Sequence, residues 1–270
     1  MSQTIINKQI AVDTATLSVD LCGTGEAVVL LPSWARGTQD FADLMAALVA
    51  AGFRAIAVNA RGIAGSTGPL TGITLHDLAA DVAGVIEALD AAPAHIVSHA
   101  FGNRIARCLA SDHPKLVKTV SLLAAGGLVA PQLSEYHPGR FEAVAALERT
   151  FTDTLSDAEW LAAIKTSGFF APTSDPLGWR QGWWPAVAAA QRAAIHATPR
   201  EEWWAAGTAP ILVIQGLEDK LAVPANGRAL REAFGDRVQL IQLANAGHAL
   251  LPEQPEAIAK AVVTFLRAHR

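Results

Sequence analysis

Residues 96–104 read Ile96-Val97-Ser98-His99-Ala100-Phe101-Gly102-Asn103-Arg104. An apolar strand runs into a five-residue turn with small residues at its first and last positions, and a helix follows. This is the frame of a nucleophile elbow. Its usual pattern is Gly-x-Ser-x-Gly, in which a strained strand-to-helix turn lifts the serine oxygen clear of the sheet. Here Ser98 takes the first small position and Gly102 the last. The nucleophile position holds Ala100, whose methyl group cannot attack a carbonyl.

Outward from the turn, strand-like and helix-like segments alternate. Residues 4–12 and 15–22 read as an antiparallel pair around a turn at Asp13-Thr14. Ala27 to Leu31 is a continuous apolar run, as expected of a strand buried on both faces. Phe41 to Ala51 has helical spacing, and Arg54 to Val58 is the next strand. Thr74 and Asp77 form a capping-box pattern. It opens a helix whose Leu75, Leu78, Val82, Val85 and Leu89 share one face. Beyond the elbow helix, Lys118 to Leu123 is another strand. Residues 128–207 then show helical spacing without a convincing strand. Alternation resumes with strands at 211–215 and 238–243 and ends in a helix over 253–269, with Pro255 near its first turn. Repeated strand–helix units predict a mostly parallel sheet of about eight strands, covered by helices on both faces. The interruption predicts a helical lid inserted after the sixth strand. The expected division is a core of 1–127 and 208–270 and a cap of 128–207.

Composition narrows the function classes. The chain has 270 residues, 51% hydrophobic and 17% charged, with a net charge of −4. That affords a sizeable core and argues against disorder. There is no basic run, so neither nucleic acid nor an anionic membrane is an expected partner. No apolar stretch approaches the length that spans a bilayer, and the first residues lack a signal core. Cys22 and Cys108 stand far apart in apolar or small-residue surroundings and read as buried free thiols, suited to a reducing cytoplasm. No phosphate loop, metal-ligand cluster or dinucleotide fingerprint occurs, so no cofactor and no metal are expected.

Three further stretches join the elbow. Asn59-Ala60-Arg61-Gly62-Ile63-Ala64-Gly65-Ser66 follows the fourth strand. Gly216-Leu217-Glu218-Asp219 follows the strand at 211–215, and Asn245-Ala246-Gly247-His248 follows the strand at 238–243. Together, in this order, the four landmarks resemble the α/β-hydrolase superfamily, and the resemblance covers nearly the whole chain. It implies the α/β-hydrolase fold. It also implies a site in which His248 is the base, Asp219 holds its ring in the correct tautomer, and position 100 would carry the nucleophile. Glu218 competes with Asp219 for the acidic role. The resemblance further implies an oxyanion hole made by the backbone N–H of Phe101 and one from the loop after the third strand. That loop usually reads His-Gly-x. Here it is Pro32-Ser33-Trp34, which makes Trp34 the second donor. His99 is expected to turn away from substrate, and Ser98 to be small for packing rather than a displaced nucleophile.

Ser33 is a candidate for orienting substrate or water, with turn capping as its alternative. Arg36 is a candidate substrate contact, and both it and Arg61 could instead brace loops. Six of the seven tryptophans fall between 160 and 204. Part of that set is needed to pack a small lid. The remainder, with Trp183 and Trp184 as the candidates and Phe169 and Phe170 beside them, predicts a pocket for an apolar or aromatic small molecule. Three readings of Ala100 stay open. The first is an ester- or lactone-type hydrolase carrying alanine in place of its serine. The second is an enzyme that works without a nucleophile, of lyase, isomerase or cofactor-free oxygenase type, with His248 as general base. The third is a ligand-binding receptor.

Overall fold

The computed structural model describes residues 4–128, 140–152 and 154–270. Eight strands form one sheet: β1 (Ile6–Val12), β2 (Ala15–Cys22), β3 (Glu26–Leu31), β4 (Phe53–Val58), β5 (Ala94–His99), β6 (Val117–Leu123), β7 (Ile211–Gly216) and β8 (Val238–Leu243). Their order is β1-β2-β4-β3-β5-β6-β7-β8. The β1–β2 and β2–β4 pairs are antiparallel, and every later pair is parallel. Strands β5 and β7 are buried along their whole length, and the apolar run Ala27–Leu31 is the buried part of β3. Strand β8 lies at the sheet edge and alternates between partly buried and exposed residues along most of its length.

Helices cover both faces. On one side α1 (Ala42–Ala50) and the C-terminal helix α9 (Pro255–Arg267) contribute Leu44, Leu48, Ile258, Val262 and Phe265 to one core. On the other, α2 (Leu75–Ala88) and α3 (Gly102–Asp112) pack Leu78, Val82, Ile86, Ile105 and Leu109, joined by Leu230 of α8 (Ala225–Phe234). The capping box at the start of α2 is present. The Thr74 hydroxyl accepts the Asp77 N–H, and the Asp77 carboxylate accepts the Thr74 N–H.

Between β6 and β7 the described residues form α4 (Arg140–Arg149), α5 (Asp157–Ser167), α6 (Pro185–Ala197) and the short α7 (Arg200–Trp203). Residues 129–139 and 153 of the segment expected as a cap lie outside the described residues. The segment has its own apolar cluster, with Leu147, Trp160, Ile164, Phe169, Phe170 and Trp179 packed against Ala249 and Trp34. Among the described residues no helix is long and apolar enough to cross a membrane.

The parallel direction of β3, β5, β7 and β8 brings their carboxyl ends to a single edge. There Trp34, Ala100, Asp219 and His248 follow within a few residues of the strand ends. Open α/β sheets bind ligands outside that edge.

Candidate active site

The turn after β5 is held by backbone and small side chains. Ala100 sits at φ +49°, in the left-handed region that costs a residue with a Cβ about 1–2 kcal/mol. The strain is locked in by the Ala100 N–H, which donates to Leu123 O at 3.0 Å, and by the Gly102 N–H, which donates to Pro32 O at 3.1 Å. At Gly102 an added Cβ would overlap the carbonyl oxygens of Leu31 and Pro32, so this position must be glycine. Ser98 is fully buried. Its hydroxyl donates to Asn103 Oδ1 at 2.8 Å, and Asn103 Nδ2 in turn donates to Leu123 O at 2.7 Å. Ser98 therefore ties the strand to the helix and does not face the cavity.

His248 Nδ1 lies 2.9 Å from Asp219 Oδ2. The other Asp219 oxygen accepts the N–H groups of Leu221 and Ala222, each at 2.8 Å. Carboxylate oxygens accept hydrogen bonds, so Nδ1 is the ring nitrogen placed to donate to Asp219, and in a neutral imidazole of that tautomer Nε2 is the acceptor. Nε2 makes no hydrogen bond to any described residue, and it is not a buried orphan atom. The Phe169 ring stands edge-on to the imidazole, with centroids 5.3 Å apart. Glu218, the competing acid, accepts the N–H groups of Asn245 at 3.2 Å and Ala246 at 3.0 Å; it shapes the histidine loop without reaching the ring.

His99 is fully buried, and its Nε2–H donates to His248 O at 2.7 Å. Burial, reinforced by the neighbouring His248, pushes its pKa down to about 3, so it remains a neutral backbone prop. Sequence reasoning missed Glu253. One of its oxygens accepts Gly247 N–H and Leu250 N–H on the histidine loop. The other accepts Ala171 N–H and the Ser174 hydroxyl from the inserted segment. A glutamate five residues past a candidate histidine carries no local signal for that double role.

A cavity of about 480 Å³ opens at this edge. Ser33, Trp34, Ala100, Phe101, Trp183 and His248 line it among others. The N–H groups of Trp34 and Phe101 have no acceptor among the described residues, so both can serve a ligand oxygen. The lining mixes apolar groups such as Leu128, Val144 and Phe169 with Arg104, Arg192, Asn226 and the Glu148 carboxylate that pairs with Arg192.

Two expected substrate contacts, Arg36 and Trp184, lie away from this cavity. Arg36 is buried in a bidentate pair with Asp40 and donates to the carbonyls of Trp179 and Gln181; it does not line this cavity. Its guanidinium stacks against Trp179 and Trp183, 4.3 and 4.6 Å from their ring centres. Trp184 lines a separate outer groove with Arg36 and Gln39. Arg61 likewise braces its loop through a buried pair with Asp81. Of the six clustered tryptophans, Trp183 alone is placed against the cavity. Trp160 and Trp179 pack the inserted segment, and Trp203 and Trp204 stack on Arg107.

An Asp–His pair with a free Nε2, two unpaired backbone donors and an apolar-walled cavity can hold a carbonyl and move a proton. At position 100 the chain offers no atom for covalent attack. Among the described residues no cluster of side chains could hold a metal ion.

Comparison with known proteins agrees with this fold. The alpha/beta hydrolase fold family matches residues 26–255. A Mycobacterium tuberculosis protein whose name describes a candidate non-heme bromoperoxidase, BpoC, is 28% identical over 268 residues, covering 92% of this chain and 97% of that one. The 2-(acetamidomethylene)succinate hydrolase of Mesorhizobium japonicum is 25% identical over 281 residues, covering 99% and 97%. The solved structure of Rv0554 from Mycobacterium tuberculosis superposes with a TM-score of 0.79 at 26% identity, over 98% of this chain and all of the other.

Proposed function

This chain belongs to the alpha/beta hydrolase fold family, and from that premise we propose that it is a hydrolase-like enzyme for an apolar small molecule with an ester, lactone or related acyl bond. The observation that carries the reading is the intact Asp219–His248 pair, its Nε2 unpaired, on a cavity that also contains Ala100 and two free backbone donors. In this reading the carbonyl oxygen accepts from Trp34 N–H and Phe101 N–H. His248 Nε2 takes a proton from water as the water oxygen bonds to the carbonyl carbon. The tetrahedral intermediate then expels the leaving group, which takes that proton from His248. Asp219 steadies the imidazolium formed in between. No acyl-enzyme arises, because Ala100 has no nucleophilic atom. One relative bears the name of a hydrolase, which supports this reaction class.

A second reading is favoured by the backbone of Ala100. Its φ of +49° keeps the strained turn that presents a serine, although an alanine gains nothing from it. The site would then be a serine-hydrolase site carrying alanine at the nucleophile position. The two free, buried cysteines suit a cytoplasmic setting in either case.

Single-turnover kinetics on p-nitrophenyl esters and small lactones separate the readings. The general-base reading expects slow turnover without a burst, abolished by His248→Ala. The serine-site reading expects no turnover until Ala100→Ser produces a burst of one equivalent. If neither protein acts on the panel, both readings fall.

A further inference from the structure

The turn that carries the Trp34 donor is fastened to the inserted segment rather than to the sheet. Within residues 33–36 one hydrogen bond closes the turn, from Arg36 N–H to Ser33 O at 3.2 Å. Ala35 is fully buried at φ +53°, so the turn is strained and does not hold its shape by local preference. Apart from the Arg36 guanidinium, which bonds Asp40 and the carbonyls of Trp179 and Gln181, the turn's bonds outward converge on residues 184–191. The Ala35 N–H donates to Gln191 Oε1 at 2.8 Å. The carbonyl of Ala35 accepts the Trp184 N–H at 2.9 Å. The indole Nε1–H of Trp34 donates to Ala188 O at 2.9 Å. Ala188 and Gln191 lie one turn apart on α6, and Trp184 directly precedes that helix.

Gln191 is 2% exposed and is the one side chain among these partners. A buried N–H with no acceptor costs about 1–3 kcal/mol, so the Ala35 peptide cannot turn away from Gln191 without penalty. The peptide planes on either side of Trp34 share its Cα, and its indole is fixed to Ala188. Contacts to α6 thus hold both the peptide that follows Trp34 and the Trp34 side chain, which anchors the residue carrying the donor.

We propose that Gln191 is a positioning residue for the oxyanion hole: α6 holds the 33–36 turn so that the Trp34 N–H points into the cavity. The hole is complete when α6 is docked on that turn and is lost when it lifts. This inference rests on the reading of Trp34 and Phe101 as oxyanion donors.

The test uses binding, so it needs no substrate. Phenylacetate presents an oxyanion to the hole, whereas 2-phenylethanol has nearly the same shape and no carbonyl. Affinities of both are measured by calorimetry on the unaltered protein, on Gln191→Met and on Trp34→Phe, which cuts the indole bond on the other side of the turn. The expected result is a preference for phenylacetate that falls about tenfold in Gln191→Met, as for one lost hydrogen bond of about 1.4 kcal/mol. Affinity for 2-phenylethanol should stay within twofold, which separates positioning from general loosening of the fold. Trp34→Phe should lower the preference in the same direction, and it carries the test if Gln191→Met fails to fold. If the unaltered protein shows no preference, the oxyanion-hole reading itself falls, and this inference with it. If the preference is present and both variants keep it within twofold, the hole stands without α6 and the role of Gln191 is overturned.

Discussion

His248 Nδ1 and Asp219 Oδ2 are 2.9 Å apart although 29 residues separate them in sequence, and the remaining oxygen of Asp219 is occupied by two backbone N–H groups. The carboxylate thus has one free direction, and the imidazole fills it. Ring tautomer, ring orientation and the direction of Nε2 follow from that single contact.

Replacing Asp219 by asparagine should keep the shape and lose the tautomer. An amide can donate to Nδ1 and push the proton onto Nε2. In the Ala100→Ser protein, kcat for p-nitrophenyl acetate should fall about a thousandfold or more, with little change in KM. A loss under tenfold would mean that Asp219 does not orient the base.

The strained turn gives opposite expectations at two neighbouring positions. Ala100→Gly relieves the left-handed conformation while removing a methyl that faces the cavity, so stability should rise by about 0.5–1 kcal/mol, or about 1–3 °C in Tm. Gly102→Ala forces a Cβ into the carbonyls of Leu31 and Pro32 and should cost about 2 kcal/mol or more. Thermal melts of both variants check the pair; equal effects would contradict the strain assignment.

Glu253 joins the histidine loop to the inserted segment. Glu253→Ala leaves the N–H groups of Gly247, Leu250 and Ala171 without their acceptor. The expected loss is about 2 kcal/mol of stability, because water reaches this half-buried position and repairs part of the deficit. Hydrogen exchange at Gly247 and Leu250 should accelerate in the variant, and unchanged protection there would refute the role.

His76 supplies a pH-dependent contact between α2, α3 and α7. Its Nδ1 lies 2.6 Å from Asp112 and its Nε2 2.7 Å from Glu202. Hydrogen bonding to Asp112, then to Glu202, raises its pKa above the ordinary histidine value of 6.5. The protonated form is favoured by folding. Its contribution is therefore full below about pH 6.5 and is lost as pH rises through the raised folded value. The group is partly exposed and screened, so the effect should stay under about 1 kcal/mol. Tm measured from pH 6 to 9 should decline less steeply in His76→Gln than in the unaltered protein.

The strands and the helices flanking the sheet were legible because each obeys its own period. Leu75, Leu78, Val82 and Val85 recur at helical spacing, and buried strands show apolar runs such as Ala27–Leu31 and Ile211–Ile214. Their ends shifted by only a residue or two, as with the final helix, expected over 253–269 and found at Pro255–Arg267. The inserted helices were less legible. Their apolar residues serve packing inside the segment as well as contact with the core, and the tryptophans show why this matters. Trp179 and Trp183 are the same letter four positions apart and both pack in the segment's cluster, yet only Trp183 of the two lines the cavity.

The sequence by itself determined the mostly parallel sheet, the elbow with its alanine, and the loops that bear Asp219 and His248, since these follow from local periodicity, turn chemistry and chain order. Tertiary structure alone decided which groups meet. Gln191 is an ordinary polar residue in an alanine-rich helix until the fold sets it against Ala35, 156 positions away. Arg36 could have faced a ligand until Asp40 and two carbonyls of the inserted segment enclosed it. A buried donor or acceptor takes whatever partner the packing brings within reach, and that partner has no fixed spacing along the chain.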